Sequence, residues 1–195
     1  MRLADRSGAV RLLLAATLLA APLAACEGDG GSSDSARSCS GSQVADGSAT
    51  VVPERERCPA PTLRGSTLDG EPFDVADLRG SVVVLNVWGS WCAPCKKEQP
   101  ELQRAADDLA ADGVRFVGIN VRDRTTGNAL AHNRRYAVTY PSLFDPSAKL
   151  VARFRDLPPS AIPTTVVLDR EGRIAARVLG ATSYAELVDL ARRVA

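Results

Sequence analysis

The chain has 195 residues, and 45% of them are hydrophobic, which is enough to build one buried core with appendages. Its 24 basic and 23 acidic residues give a formal net charge of +1, and no long block of one sign interrupts the sequence. Because no broad electrostatic surface for nucleic acid is visible, we expect no nucleic-acid partner.

The first 25 residues have the pattern of a secretion signal. Arg2, Arg6 and Arg11 precede an apolar run over 12–25 that ends in small residues. This run is shorter than the roughly 20 apolar residues that a helix needs to span a bilayer. We therefore predict a cleaved signal peptide over 1–25 and an extracytoplasmic protein.

The end of the signal and the cysteine after it resemble the lipobox of bacterial lipoproteins. The sequence there is Leu23-Ala24-Ala25-Cys26, and in lipoproteins the cysteine is diacylated and becomes the first residue of the mature chain. The alternative is an ordinary secretory signal followed by an incidental cysteine. The position of the motif favours lipidation, so we predict that Cys26 carries a lipid anchor to the cell membrane.

The segment after Cys26 has the composition of a linker. Residues 27–43 are mostly Gly, Ser and Asp, with almost nothing apolar. Such a segment cannot bury enough surface to offset the entropy that ordering costs. We predict a flexible tether over 26–57 and a folded domain over 58–195.

Beyond the tether, apolar runs alternate with helical patterns. The valine-rich segments 82–88 and 114–121 are typical of strands buried on both faces, so helices should cover the sheet that they join. The other predicted elements are a helix over 94–111, a helix over 128–136, a short strand at 143–144, a hairpin of 164–169 and 173–179, and a helix over 183–194 capped by Ser183. This order indicates an α/β fold with a mixed central sheet flanked by helices.

The run Trp91-Cys92-Ala93-Pro94-Cys95 lies where the first of these strands passes into a helix. Backbone amides and the helix dipole favour a thiolate at that point, so Cys92 is the predicted nucleophile. Two intervening residues allow the sulfurs to bond or to separate, so Cys95 can resolve a mixed disulfide formed by Cys92. The redox-active group would be the Cys92–Cys95 disulfide itself, with no further cofactor.

Two other interpretations of the pair are a zinc knuckle and an inert structural disulfide. A zinc site needs two further ligands, but the sequence has no second Cys-x-x-Cys and no histidine pair, since His132 is its sole histidine. A strand before the pair and a helix after it are typical of redox use. We therefore favour redox chemistry and expect no metal.

From residue 82 to residue 102 the sequence resembles the TlpA/ResA branch of the thioredoxin-like superfamily. Residues 85–100 read LNVWGSWCAPCKKEQP, and the family pattern continues at 117–121, 140–145 and 162–172. The resemblance covers roughly residues 59–194. It implies a thioredoxin-like fold with the TlpA-type central insertion, here within 122–159, and a thiol-disulfide oxidoreductase activity.

The resemblance also implies roles for two residues outside the pair. Pro163 matches the family's cis-proline, which faces the cysteines and leaves nearby backbone groups free to pair with a substrate peptide; the alternative is a proline that only starts a strand. Glu98 matches a family carboxylate, and three residues beyond Cys95 on a helix it lies one turn away. There it can serve as an acid or base for the resolving thiol. The alternative is a solvated glutamate on the helix surface.

Two positions depart from related patterns. Asn86 stands where classical thioredoxins have a buried aspartate, so a titratable group behind the disulfide must come from elsewhere, and Glu98 is the candidate. Ala93 stands where the closest ResA pattern has a glutamate. The sequence therefore does not by itself specify a role in cytochrome c maturation.

Once Cys26 is acylated, four cysteines remain, and an even number in an oxidising compartment indicates that Cys39 pairs with Cys58. Three pairings are formally open. A structural disulfide is favoured over a second redox relay, because neither Cys39 nor Cys58 lies between a strand and a helix.

The leading functional hypothesis is an enzyme that reduces disulfides in exported proteins, with apocytochrome c as one candidate client. Its partners would be those proteins and, as the resemblance implies, a transmembrane thiol electron donor. One alternative is an oxidase that introduces disulfides. Another is a copper-binding chaperone on the same fold, which would need wider cysteine spacing and a distant histidine.

Overall fold

The computed structural model describes residues 49–154, 157–158 and 160–195, together with the backbone of 42–43. The predicted signal peptide, Cys26 and Cys39 lie outside these residues. The strands are β1 (Ser42–Gln43), β2 (Ala49–Val51), β3 (Arg64–Ser66), β4 (Pro72–Asp74), β5 (Val82–Trp88), β6 (Val114–Val121), β7 (Ser142–Asp145), β8 (Thr164–Leu168) and β9 (Ile174–Leu179). The helices are α1 (Ala93–Leu109), α2 (Thr126–Arg135) and α3 (Tyr184–Val194), and short 3-10 helices occupy Glu54–Glu56, Val75–Leu78 and Val151–Arg153.

An inner strand of the sheet is β5, in which every residue is buried. It pairs in parallel with β6 and antiparallel with β8. The described strand order is β1-β2-β9-β8-β5-β6-β7, with β3 and β4 forming a separate small hairpin. A strand at this position needs apolar side chains on both faces, which explains why all of its residues except Asn86 are apolar. The predicted mixed sheet flanked by helices is confirmed.

Alternating side chains of β5 divide the core between the two faces of the sheet. Val82 and Val84 pack with α1 and α3 on one face. Val83 and Leu85 pack on the other face, which is covered mainly by irregular and 3-10 segments. These irregular and 3-10 segments contribute the buried side chains Leu63, Val75, Leu150, Val151, Phe154 and Leu157. Both faces are therefore covered, but helices of regular length cover only one of them completely.

The two long helices begin at residues that cap them. The Ser183 hydroxyl accepts a hydrogen bond from the Glu186 N–H at 3.3 Å, as the predicted cap of α3 requires. Cys92 is the N-cap of α1. None of the helices in the described part of the chain is long and apolar enough to cross a membrane.

The sheet begins upstream of the predicted domain boundary at residue 58. β2 pairs antiparallel with β9, and the Val52 after it is completely buried, with its N–H 2.8 Å from the Ala175 oxygen. The tether predicted over 26–57 therefore extends too far along the chain. A three-residue strand contains too little periodicity to be recognised in the sequence, and pairing with β9 decides its structure.

The segment between β6 and β8 contains α2 and β7, and it coincides with the insertion that the family resemblance implies within 122–159. β7 extends the sheet by pairing in parallel with β6. α2 begins at Thr126, slightly earlier than the sequence predicts. This segment therefore adds one helix and one edge strand beside the cysteine-bearing loop.

Candidate active site

The disulfide between Cys92 and Cys95 lies beyond the carboxyl end of β5, where the chain enters α1. The two Cα atoms are 5.3 Å apart. The Cys92 sulfur accepts a hydrogen bond from the Cys95 N–H at 3.2 Å. Because the amides and dipole of a helix N-terminus stabilise negative charge, the fold favours Cys92 as the sulfur that carries a thiolate.

Both cysteines are enclosed by apolar side chains. Cys92 is 4% exposed and Cys95 is 1% exposed. They pack in one cluster with Leu68, Trp88 and Ala129. Cys92 is slightly the more exposed of the two residues, which is compatible with the predicted order of attack and resolution.

A buried carboxylate that the sequence analysis did not identify holds the loop before Cys92. Asp123 accepts hydrogen bonds from the Ser90 N–H at 2.9 Å, the Ser90 hydroxyl at 2.5 Å and the Asn120 side chain at 2.7 Å. These bonds join the loop to the end of β6 and fix the position of Cys92. The signal that could have found Asp123 is its place just after a buried strand, at the sheet edge where β5 also ends.

Glu98 is buried inside the site rather than solvated on the helix surface, with 2% of the residue exposed. Its two oxygens accept hydrogen bonds from the Asn86 side-chain amide at 2.9 Å and from the Thr182 N–H at 3.0 Å. Burial raises the pKa of Glu98 to about 7, and the two hydrogen bonds oppose that rise only in part. A carboxyl with such a pKa can gain and lose a proton at neutral pH.

Asn86 connects Glu98 with the neighbouring strand. Its amide nitrogen also donates to the Thr165 hydroxyl at 3.3 Å. Its oxygen is buried and has no hydrogen-bond partner among the described residues. Because an amide carries a donor at one end and an acceptor at the other, a rotated Asn86 side chain could accept from protonated Glu98 as readily as it donates to ionised Glu98.

Pro163, which the resemblance places opposite the cysteines, directly precedes β8. The peptide bond between Ile162 and Pro163 is cis. Ile162 packs against the cluster that contains both cysteines. The Pro163 oxygen accepts from the Gly180 N–H at 3.0 Å. A role of Pro163 in pairing with a substrate peptide stays a prediction.

A chain of buried polar side chains flanks α1 on the side of α2. The Gln99 amide nitrogen donates to the Tyr140 hydroxyl at 2.7 Å, and its oxygen lies 3.4 Å from Nε2 of His132. The His132 and Trp88 ring centroids are 4.5 Å apart. Burial lowers the pKa of His132 to about 4, and the positive charge of Lys96 adds to this effect, so the ring is neutral at physiological pH. Only the folding of α2 against α1 brings His132 here, and no sequence signal indicated it.

Cys58 lies apart from this site. The Cys58 backbone oxygen accepts from the Ile174 N–H at 2.8 Å, which places Cys58 beside the start of β9. Cys39 and Cys26 lie outside the described residues. The pairing of Cys39 with Cys58 and the lipid on Cys26 therefore stay predictions.

Comparison with known proteins agrees with this geometry. A family model described as the AhpC/TSA family matches residues 57–177. The thiol-disulfide oxidoreductase ResA of Bacillus subtilis is 30% identical over 132 residues, which are 67% of this chain and 70% of that protein.

Two solved structures share the fold. A DsbF homologue from Corynebacterium diphtheriae has a TM-score of 0.71 and 37% identity, and the match covers 75% of this chain and 92% of that one. A secreted thiol-disulfide isomerase from Corynebacterium glutamicum has a TM-score of 0.73 and 34% identity, with coverage of 78% and 95%. The predicted thioredoxin-like fold is thereby confirmed.

Proposed function

Because the chain belongs to the AhpC/TSA family and is a thiol-disulfide oxidoreductase, we propose that it reduces disulfides in exported proteins, with Glu98 as proton acceptor and donor for Cys95. The observation that carries the proposal is the environment of Glu98. Its carboxyl has a pKa near 7, it is buried with no cation among its described hydrogen-bond partners, and it lies on the helix that begins at the disulfide.

The first step is an exchange between Cys92 and the client. The Cys92 thiolate attacks one sulfur of the client disulfide, so a bond between Cys92 and the client forms as the client's own disulfide breaks. The second client sulfur leaves as a thiolate and takes a proton from solvent. The Cys95 N–H and the start of α1 stabilise the attacking thiolate.

The second step releases the client and needs a deprotonated Cys95. Ionised Glu98 takes the Cys95 proton, and the new thiolate attacks the Cys92 sulfur and expels the client sulfur as a thiolate. The client has gained two electrons and the enzyme has lost them. When a donor dithiol later reduces the enzyme, Cys95 leaves as a thiolate and protonated Glu98 returns the proton.

The charges around the sulfurs favour reduction of clients over their oxidation. Ala93 and Pro94 place no charge between the cysteines, and ionised Glu98 repels a second negative charge at Cys95. Lys96 is exposed, so solvent screens its attraction for a thiolate. The reduced form is therefore less stabilised than in strongly oxidising relatives of the fold.

A redox titration of the disulfide against glutathione and dithiothreitol tests the direction. We expect a potential nearer the thioredoxin value of about −270 mV than the value of about −120 mV found for DsbA. A potential near or above about −180 mV, the value of protein disulfide isomerase, would favour an oxidase and reverse the proposed direction.

The roles of the two sulfurs are tested by trapping. In Cys95→Ala, Cys92 can attack but the client cannot be released, so mixed disulfides with client proteins should accumulate. The matched variant Cys92→Ala should form none. Recovery of the adducts from Cys92→Ala instead would exchange the two roles.

We propose that the protein works outside the cytoplasm as a lipoprotein. The pattern over 1–25, with Cys26 after it, supports this location, and the related Corynebacterium glutamicum protein is a secreted one. Cys26→Ser should release the protein from the membrane fraction and leave its domain folded. Retention of this variant in the membrane fraction would contradict the anchor.

The compartment requires an electron donor, because an oxidising environment keeps a couple of low potential in its disulfide form. We propose a transmembrane thiol protein as that donor and apocytochrome c as one client, since its haem-binding Cys-x-x-Cys must be reduced before haem attachment. The rates at which the protein reduces oxidised apocytochrome c and an unrelated exported disulfide protein test this client. If apocytochrome c is reduced no faster, it is not a preferred client.

A further inference from the structure

A groove of about 700 Å³ opens beside the disulfide, between the loop that precedes Cys92 and the helices α1 and α2. Its wall includes Ser90, Trp91, Lys96, His132, Arg135 and Tyr136. The exchange mechanism above assigns no function to these side chains, apart from the solvent-screened attraction of Lys96 for a thiolate.

The groove is positively charged. Lys96 and Arg135 are exposed, and neither forms an ion pair with another described residue. None of the described residues in its wall is acidic. The carboxylate of Asp123 is bonded to Ser90, and its oxygens already accept three hydrogen bonds. An anionic group would therefore meet two cations and no competing acid on the wall.

One further feature suits the groove to a ligand. The Trp91 indole N–H donates to the Val121 oxygen at 3.2 Å, which fixes the ring while 49% of the residue stays exposed. The wall thus has a positioned and exposed aromatic ring.

The apolar surface around the site indicates a polypeptide ligand. Trp91 and Leu179 are the large hydrophobic residues exposed in the described part of the chain. Val87 of β5 is in register with Thr164, and Thr164 is in register with Leu179, so Leu179 lies at the same end of the sheet as the disulfide. A small anion could not contact strand β9 and the groove together, whereas an extended segment could.

We propose that the groove binds an acidic side chain of the client polypeptide near its reactive disulfide, so that clients with such a residue react faster with Cys92. This inference rests on the proposed function in one respect, namely that polypeptide disulfides are the substrates. Arg135 is the cation to test, because Lys96 directly follows Cys95 and replacing it would also change the charge next to the sulfurs.

The test measures how fast the reduced full chain carrying Cys95→Ala forms a mixed disulfide with two peptides. Each peptide has one disulfide, and the two differ only in a Glu or Gln next to one cysteine. In this step the Cys92 thiolate displaces one peptide thiolate, so its rate does not depend on which overall direction is favoured. We expect the Glu peptide to react about two- to fivefold faster at low ionic strength and the difference to fall as salt is added.

Neighbouring arginines on α2 provide the control. Arg135→Gln should remove most of the preference, whereas Arg134→Gln, which makes the same charge change outside the groove wall, should keep it. Arg135→Glu should invert the preference towards a peptide with Lys at the tested position. Equal rates for the Glu and Gln peptides would contradict the proposal that the groove binds an acidic side chain. An equal loss of the preference in both arginine variants would contradict it as well.

The outcomes separate this inference from the proposed function. If adducts form equally fast with the Glu and Gln peptides, the groove does not bind the acidic side chain, but the exchange chemistry stands. If the Glu peptide reacts faster in a protein whose redox potential is that of an oxidase, the groove proposal stands and only the reductase direction is wrong. If neither peptide forms an adduct beyond a Cys92→Ala blank, both proposals fail.

Discussion

Glu98 and Asp169 are two carboxylates buried to the same extent, each in a residue that is 2% exposed, at opposite ends of β5. Asp169 follows β8 next to the beginning of β5, since Leu168 is in register with Val83. Arg57 and Arg173 pair with its carboxylate at 3.2 and 2.8 Å. Glu98 has no cationic partner among the described residues, and two neutral N–H groups are its hydrogen-bond donors.

The difference shows that burial alone does not give a carboxylate a chemical role. At Asp169, two guanidinium groups and the N–H groups of Glu171 and Arg173 compensate for lost hydration, so the charge stabilises the β8–β9 turn. At Glu98 the compensation is incomplete, which raises its pKa into the range useful for proton transfer. Asp169 therefore stabilises the fold, whereas Glu98 has the environment that the proposed proton transfer requires.

The largest expected effect concerns the structural carboxylate. Asp169→Asn leaves Arg57 and Arg173 without their shared buried partner, so we expect the free energy of unfolding to fall by about 3–5 kcal/mol. Chemical denaturation of the oxidised protein measures this loss. The redox potential of Cys92–Cys95 should stay unchanged, and a shift of that potential would show that the two ends of the sheet are coupled.

The next effect is the pH dependence of stability at Glu98. Its pKa is raised from 4.5 to about 7 in the folded protein, so the folded state holds a proton that the unfolded chain releases. Stability is therefore unaffected below pH 4.5 and decreases as pH rises towards 7, by about 3 kcal/mol in all. The difference in unfolding free energy between the natural protein and Glu98→Gln, measured from pH 4 to pH 8, isolates this contribution. A difference independent of pH would contradict the raised pKa.

Glu98→Gln should also slow the release of clients. Without the carboxylate that accepts the Cys95 proton, we expect the mixed disulfide to decay about 100-fold more slowly at pH 7. The rate in the natural protein should rise with pH and level off above about 7, and the variant should lose that inflection. Glu101→Gln, a change on the same helix, is the control. If it slows the decay of the mixed disulfide equally, Glu98 is not the proton acceptor.

The smallest effect concerns the partner of Glu98. Asn86→Leu removes a donor that favours the ionised carboxylate, so the pKa of Glu98 should rise further. We expect the inflection in the release rate to move upward by about one pH unit. Thr165→Val removes the other hydrogen-bond partner of Asn86 without touching Glu98, and it should move the inflection much less. Equal shifts in both variants would mean that packing, rather than the Asn86 hydrogen bond, sets the pKa.

Local pattern was sufficient for much of the fold. The bounds of β5 and β6 agree with the predicted strands, and the hairpin of β8 and β9 lies where turn residues separate two apolar runs. The short strand β2 was not recognised, because only its pairing with β9 gives those three residues a structure. Long or strongly apolar elements could therefore be predicted, and this short strand without an apolar run could not.

The sequence by itself determined the reactive pair, because two cysteines separated by two residues between a strand and a helix are placed by local geometry alone. It also pointed to Glu98, but it left open whether that side chain is solvated or buried. Only the tertiary structure decided this, by bringing the Thr182 N–H, 84 residues away in the chain, against the Glu98 carboxyl. The physical reason is that desolvation depends on every neighbour that excludes water, and those neighbours come from strands and loops far apart in sequence.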